Sequence, residues 1–449
     1  MKIAVIGSGI SGCAAAWELS SWAQVSVFES DDRLGGHTHT QHIRLEDKNF
    51  PVDTGFIVFN HRTYPGLKAW FEMLGVETAP SDMSFSASLN HGQIEWCGTN
   101  LNTVFAQRRN LISPRFWSML ADIVRFNRQA PIDAARFRKL PNGGPSLGEY
   151  LDEQRYRDLF LNAYLLPMAG AIWSCPTEQM RAFPMATFTR FCENHGLLAI
   201  SNRPQWYTVK HGSATYIQKL QARIAKTDGR VQWRTQSAID AITPIGQSDG
   251  RNGVRLQGFQ TTHDVPQPFE EVFDAVILAC HSDQAAQMLP QASNARQLVS
   301  KIRYQKNLAV LHTDQQLMPK RRAAWASWNY LHDQHQEHDG SVSVTYWMNR
   351  LQPLPVQTPV LVSLNPIRAP RPEHIIQSMQ YAHPIFDGPA VQAQQELPRI
   401  QGQQGIWLAG AWTRYGFHED GFQSGTQAAQ DLRRAFAATG HAPTLPNVA

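Results

Sequence analysis

Gly7, Gly9 and Gly12, spaced Gly-x-Gly-x-x-Gly, are the residues whose type and spacing point most directly to chemistry. In such a turn the first glycine permits a tight bend and the second lets a pyrophosphate approach the backbone. The third lets a helix pack closely on its strand. Ile10 and Ser11 open that helix, whose first free N–H groups and positive dipole end face the phosphates. Glu29, about twenty residues into the motif, supplies the carboxylate needed for a ribose hydroxyl and argues for a free 2′-hydroxyl. Ser30 follows it. Arg33-x-Gly35-Gly36-His37-Thr38 then suits a loop that folds back over the pyrophosphate. Gly55-Phe56 lies in an extended segment where glycine again marks close approach of a backbone.

These residues need a strand before the turn, a helix after it and a strand ending at the acid, and the hydrophobic pattern supplies all three. Lys2 to Ile6 reads as a buried strand, Cys13 to Ser20 as a small-residue helix and Gln24 to Phe28 as a second strand. Tyr64 to Leu74 has helical spacing at Leu67, Trp70, Phe71 and Leu74, and Ser84 to Leu89 alternates as a strand does. Between Leu101 and Leu140 eight Lys or Arg stand against Asp122 and Asp133, with Phe116, Leu120, Ile123, Val124 and Asn127 forming an amphipathic stripe. That stretch reads as a solvated basic face over a core-facing stripe, or as a surface touching anionic headgroups.

Pro141-Asn142-Gly143-Gly144-Pro145 is a break, after which Ser146 and Glu149 form a capping box. Strands are expected near 231–236, 238–245 and 253–259. Phe273 to Ala279 reads as a buried parallel strand. Gly405 to Gly410 reads as another, leading through a loop into a helix from Gln423 to Ala438.

At 449 residues the chain exceeds one ordinary core, so two domains are expected. Hydrophobic residues at 42% and charged residues at 17% describe a soluble globular protein, and a net charge of +4 is too small to argue for nucleic acid. The five cysteines are scattered and lack Cys-x-x-Cys spacing, so reduced thiols in the cytoplasm are expected, with no metal site. No apolar run is long enough to span a membrane; peripheral contact with the inner membrane face stays open.

Taken together, the glycine turn with Glu29, Arg33-x-Gly35-Gly36, the Asp274-Ala275-Val276-Ile277 strand and Ala409-Gly410 ahead of Gly421-x-x-Ser424-Gly425 resemble the flavin-containing amine oxidases and their relatives along the whole chain. Asn194-His195-Gly196-Leu197-Leu198, Pro204-Gln205-Trp206, Ser327-Trp328-Asn329-Tyr330 and Gly416-Phe417-His418-Glu419-Asp420-Gly421 are similar to bacterial predicted NAD/FAD-binding proteins associated with cyclopropane-fatty-acid synthases. The resemblance implies FAD as cofactor and an α/β fold: a Rossmann-type FAD-binding domain, glutathione-reductase-like and of amine-oxidase type, with an inserted α+β substrate domain. The first is expected from 1–80, 203–294 and 401–449, and the second from 81–202 and 295–400. It further implies Ala238 near the adenine, Gly410 and Ala411 along the ribitol and pyrophosphate, and Gly421, Phe422 and Gln423 at the pyrimidine end of the flavin. A cyclopropane-fatty-acid-synthase-like enzyme is the implied partner.

His418 is the leading candidate for a protein acid or base, against a purely loop-orienting role. Tyr415 and Phe417 are candidates for the substrate wall, and Glu419 and Asp420 for caps of the helix that follows. His37 is expected to contact phosphate or ribitol, and Cys175 to be a small buried hydrophobe. Two features depart from the family pattern. Val310-Leu311-His312-Thr313-Asp314 carries no lysine where many amine oxidases hold one, and His211 stands where a second glycine is usual. The expected function is hydride transfer between a hydrophobic small-molecule substrate, such as a fatty acyl chain or lipid, and the flavin. An amine or amino-acid oxidase, and a flavin-bearing non-catalytic partner of a lipid-modifying enzyme, are the alternatives.

Overall fold

The computed structural model describes residues 1–140, 144–199, 203–226, 230–246, 252–333 and 342–438. The break expected at Pro141-Asn142-Gly143 lies outside the described residues, as does the end of the chain.

Short β-branched runs that are apolar on both faces need cover on both faces, and here they line up as a parallel sheet. Its order is Val231–Arg234, Gln24–Phe28, Lys2–Ile6, Ala275–Leu278 and Ile406–Leu408. Ile3 lies opposite Val25 on one side and Ala275 on the other, and Val276 lies opposite Ile406. Segments from the beginning, middle and end of the chain therefore meet in one sheet, as a Rossmann-type fold requires.

The period of two divides the cover. Ile3, Val5, Val25 and Val27 pack under the helices Ile10–Leu19 and His418–Ala438. Ala4, Ile6 and Phe28 face the antiparallel meander of Ser237–Gly246, Asn252–Thr262 and Val265–Phe273. Burying each large apolar side chain contributes roughly 1.5–3 kcal/mol.

A second sheet has seven strands in the order Ile375–Pro384, Tyr304–His312, Leu361–Leu364, Ser343–Trp347, Trp328–His332, Phe85–Leu89 and Ile94–Cys97. All its pairings are antiparallel except that of Trp328–His332 with Phe85–Leu89. Helices between Pro114 and Asn194 pack on it through an aromatic core that includes Phe126, Phe160, Phe188 and Phe191.

The helix Pro114–Phe137 buries Phe116, Met119, Asp122, Phe126, Ala130, Asp133 and Ala134. Of the expected stripe Phe116 is fully buried, Leu120 and Ile123 are partly buried against the same core, and two acids also face inward. Asp122 pairs with Arg125 and Arg157, and Asp133 accepts from Tyr150 Oη at 2.9 Å.

Candidate active site

The turn after Lys2–Ile6 has the shape its glycines allow. Gly7 has φ +97°, and a Cβ there would lie 2.9 Å from Ala279 O. Gly12 is tighter, since a Cβ would come 1.9 Å from Gly7 O, so helix and strand touch backbone to backbone. Gly9 differs: a Cβ on it would meet nothing within 4 Å, because it faces an open cavity. Gly36 closes over the turn, its Cβ position 3.2 Å from Gly9 Cα.

Glu29, at the end of its strand, is held at both oxygens. Oε2 accepts from Ser8 N at 3.0 Å and Ser8 Oγ at 2.5 Å; Oε1 accepts from Asp31 N at 3.1 Å and Ser30 Oγ at 3.3 Å. Ser8 Oγ accepts in turn from Gly35 N at 3.0 Å. Arg33 stiffens the loop by donating to Gly36 O at 2.9 Å and Thr38 O at 3.3 Å.

Beside this cradle stand three imidazoles. His37 lies 5.8 Å from His281 and 5.3 Å from His383, ring centroid to centroid, with Tyr381 at 5.2 Å. Burial, then the neighbouring histidines and Arg33, holds His37 well below the usual imidazole range. Burial brings His383 down to about 4. These rings are therefore neutral at pH 7, able to donate or accept without carrying charge. His37 Nε2 is buried with no partner among the described residues. A polar atom left this way on a cavity wall calls for an acceptor or donor from a ligand.

The cavity holds about 1790 Å³ and continues from the cradle to an aromatic wall. Trp328 and Tyr346 face each other in register on adjacent strands, centroids 4.8 Å apart. Phe191 lies 4.4 Å from Trp173 and 4.8 Å from Phe417. Trp173 Nε1 donates to Tyr415 O at 3.2 Å, fixing the loop that carries Tyr415 and Phe417 against the wall. The carboxylates among the described lining residues are Glu29, Asp31, Asp32, Asp240 and Asp283, all on elements around the cradle; the aromatic wall contributes none.

His418 opens the last helix and stacks on Phe56 at 3.7 Å. Its Nε2 lies 2.9 Å from Tyr216 Oη and 3.2 Å from Thr38 Oγ1. Burial lowers its pKa to about 3, so the imidazole is almost never protonated near neutrality and is a weak base. The stack and these hydrogen bonds hold the ring and the loop that carries it in one orientation.

Of the expected cofactor residues, Gly7, Gly9, Ile10, Ser11, Glu29, Ser30, Arg33, Gly36, His37, Gly55, Phe56, Ala238, Gly410 and Ala411 line the cavity, as do Tyr415 and His418. Gly12, Gly35 and Thr38 stand behind it as supports. Gly421, Phe422 and Gln423 are not among the described residues that line it. The helix begins at His418 rather than Gln423, so these three residues lie within its first two turns. A Cβ on Gly421 would come 2.6 Å from Ile10 Cγ2, Phe422 packs 5.1 Å from Trp70, and Gln423 Nε2 donates to Glu419 Oε1 at 2.8 Å. Gly416, Phe417 and His418 are the residues this end of the chain presents to the cavity.

Glu419 caps the helix Pro65–Leu74, not its own, and Asp420 accepts from Phe417 N at 3.0 Å. His211 is exposed in a turn with φ +64° and stays out of the cavity. Cys175 is buried as expected. His312 is buried and bonded to Ser363 Oγ at 2.8 Å, whereas Lys306 of the same strand lines the cavity. His281 and His383 were not anticipated. His281 could have been found, since it follows the end of a buried parallel strand, where α/β sheets bind ligands. His383 had no such signal, because its position depends on strand pairing far along the chain.

A glycine cradle at the strand ends, an acid closing the next strand and an adjoining cavity are the features of a dinucleotide-binding fold. The chain belongs to the flavin-containing amine oxidoreductase family, whose match runs over residues 10–433. It is 27% identical over 188 residues to coproporphyrinogen III oxidase of Propionibacterium freudenreichii subsp. freudenreichii, a match covering 40% of this chain and a third (33%) of that enzyme.

Solved structures of similar fold include cyclohexylamine oxidase from Brevibacterium oxydans, with TM-score 0.62, 17% identity, and 97% of this chain and 99% of that one covered. A CLA-producing fatty acid isomerase from P. acnes matches with TM-score 0.62, 14% identity, and 97% and 98% covered. A putrescine oxidase variant matches with TM-score 0.66, 12% identity, and 97% and 99% covered. The protein is an FAD-dependent oxidoreductase. The site fits that cofactor: the open space before Gly9 would hold a pyrophosphate, Glu29 would meet a ribose, and the unpartnered His37 Nε2 would meet a cofactor oxygen.

Proposed function

We propose that the substrate is a hydrophobic molecule of the fatty acyl or lipid class, bound against the aromatic wall and exchanging hydride with the flavin. The single observation that carries this is the continuity of the cavity. At about 1790 Å³ it exceeds the about 300–1,000 Å³ of an ordinary ligand site, leaving room beyond the cofactor. That further part is walled by Trp173, Phe191, Trp328, Tyr346, Tyr415 and Phe417 with no carboxylate to attract a cation. The lining arginine, Arg33, is committed to the carbonyls of Gly36 and Thr38 and is not free to hold an amino-acid carboxylate. A fatty acid isomerase is among the proteins of this fold, so the architecture admits such a ligand. Bound FAD supplies hydride acceptance and return; the protein supplies orientation and a dry wall.

The test is anaerobic. The purified yellow protein is mixed with unsaturated fatty acids and phospholipid extracts, and separately with simple amines, while flavin absorbance is followed. Bleaching by the lipids, or lipid turnover with the flavin cycling, supports the reading; bleaching by amines alone overturns it. Inertness to both, with a lipid-modifying synthase co-purifying, favours the non-catalytic partner.

A further inference from the structure

The segment from Gly98 to Ala121 contains no acidic residue, yet it carries Arg108, Arg109 and Arg115. The structure places on its outside Leu101, Leu111, Ile112 and Trp117, at 76, 47, 85 and 50% exposure. Four large apolar side chains this exposed and this close in sequence are unusual on a water-facing surface. We infer that this face docks on a bilayer containing anionic lipids.

Three observations carry the inference. First, the apolar residues stand on a rigid base. Phe105, Phe116 and Met119, interleaved with them, are buried in the helical core, and Trp117 Nε1 is tied to Leu111 O at 2.9 Å. Their exposure is thus built in by the core contacts beneath them. Second, the charge is uncompensated. Among the described residues Arg108, Arg109 and Arg115 make no ion pair; Arg108 donates to Phe105 O at 3.2 Å and Arg109 to Gln93 O.

Third, the basic face continues along the helix Pro114–Phe137. Its acids, Asp122 and Asp133, are 3 and 6% exposed and already paired, while Arg125, Arg128, Arg136 and Ile132 point outward. Arginines flanking exposed Leu, Ile and Trp match a headgroup layer with acyl chains beneath it: the cations meet phosphates and the apolar tips enter the boundary. Among the described residues no helix is long and apolar enough to cross a membrane, so the contact is peripheral.

The experiment is co-sedimentation of the flavin-loaded protein with vesicles of phosphatidylcholine alone and of phosphatidylcholine with phosphatidylglycerol. Binding is expected to the anionic vesicles only, to weaken as salt rises, and to fall about fivefold for each of Arg108→Gln, Arg109→Gln and Arg115→Gln. Ile112→Glu should abolish it. Ile376→Glu, the same change at a less exposed position on the second sheet (40% exposed), should leave it intact. All variants should keep the visible spectrum, and their melting temperatures check that each is folded. Absence of vesicle binding, binding indifferent to these substitutions, or concentration-dependent self-association abolished by Ile112→Glu without lipid binding would overturn the inference.

Discussion

The imidazole of His418 lies flat on the ring of Phe56, centroids 3.7 Å apart and planes within 6° of each other. Residues from opposite ends of the chain are thereby clamped at the wall of one cavity. The histidine reaches Tyr216 Oη at 2.9 Å, and that hydroxyl is 2.5 Å from Thr38 Oγ1. A ring stacked on one side and hydrogen-bonded at its edge is positioned and neutral.

His418→Gln keeps a hydrogen-bonding end in the same network. It should retain bound flavin, and the rate of flavin reduction should change by no more than about threefold, with an unchanged pH profile from 6 to 9. General acid or base catalysis is worth about 10²- to 10⁴-fold, so a loss of that size with an altered profile would restore the catalytic role. His418→Ala should lower thermal stability by removing the stack.

The glycines separate cofactor binding from folding. Gly9→Ala puts its methyl into open space and leaves every protein contact intact, so the apoprotein should melt near the wild-type temperature but bind FAD at least about tenfold more weakly. Gly12→Ala drives a methyl to 1.9 Å from Gly7 O and should prevent the helix from seating, with loss of soluble folded protein. Titration of each apoprotein with FAD, followed by flavin fluorescence, distinguishes the two. Equal FAD affinity for wild type and Gly9→Ala would remove the pyrophosphate from this turn.

The cradle was legible because it is local. The turn, Glu29 and the Arg33-x-Gly35-Gly36 loop sit within about thirty residues, and hydrophobic period, glycine spacing and an acid at a strand end are readable at that range. The late strand at Ala275–Leu278 was legible too, being apolar on both faces. What escaped depends on distant pairing. His383 joins His37 only because Gln305 lies opposite His383 on a strand pair, and no spacing encodes that register. The last helix starts at His418, ahead of the Gln423 start that the sequence suggests, and Gly421 within it has no side chain to keep Ile10 and Ser11 away. In the helix Pro114–Phe137 the apolar stripe leaves out Asp122 and Asp133, which turn inward to meet Arg157 and Tyr150, partners far away in sequence.

Acid should weaken the fold. Burial lowers His418 to about 3 and His39, His195, His312 and His383 to about 4, from 6.5. Each such group binds protons more tightly when unfolded, so the stability it contributes is present above 6.5 and is lost as pH falls toward its folded value. Asp53 and Asp420, raised by burial to about 6 from 3.8, act oppositely: their contribution is present below 3.8 and is lost as pH rises through 6. Five imidazoles outweigh two carboxyls. The free energy of unfolding should therefore drop between pH 6.5 and 4, on the order of 3 kcal/mol or more. Denaturant titrations at several pH values check this, and a flat or rising curve over that window contradicts it.

Glu419 supplies the cap that the helix Pro65–Leu74 lacks locally. Tyr64 precedes that helix without a capping side chain, and its first turn contains no acid. The free N–H groups of Gly66 and Leu67 donate instead to Glu419 Oε1 at 2.9 Å and Oε2 at 2.8 Å, across more than 350 positions of sequence (|i−j| 353 and 352). A carboxylate there satisfies two orphan donors and meets the positive end of the helix dipole. Glu419→Ala should cost about 1–2 kcal/mol of stability with an unchanged flavin spectrum. Gly66 makes the approach feasible, since a Cβ there would lie 2.9 Å from Glu419 Oε1 and 2.3 Å from Gln423 Nε2. Gly66→Ala should therefore destabilise by displacing the same carboxylate, and the double variant should lose less than the sum of the two single losses. Strictly additive losses would mean that the two residues act separately, and that the last helix holds the Pro65–Leu74 helix by packing alone.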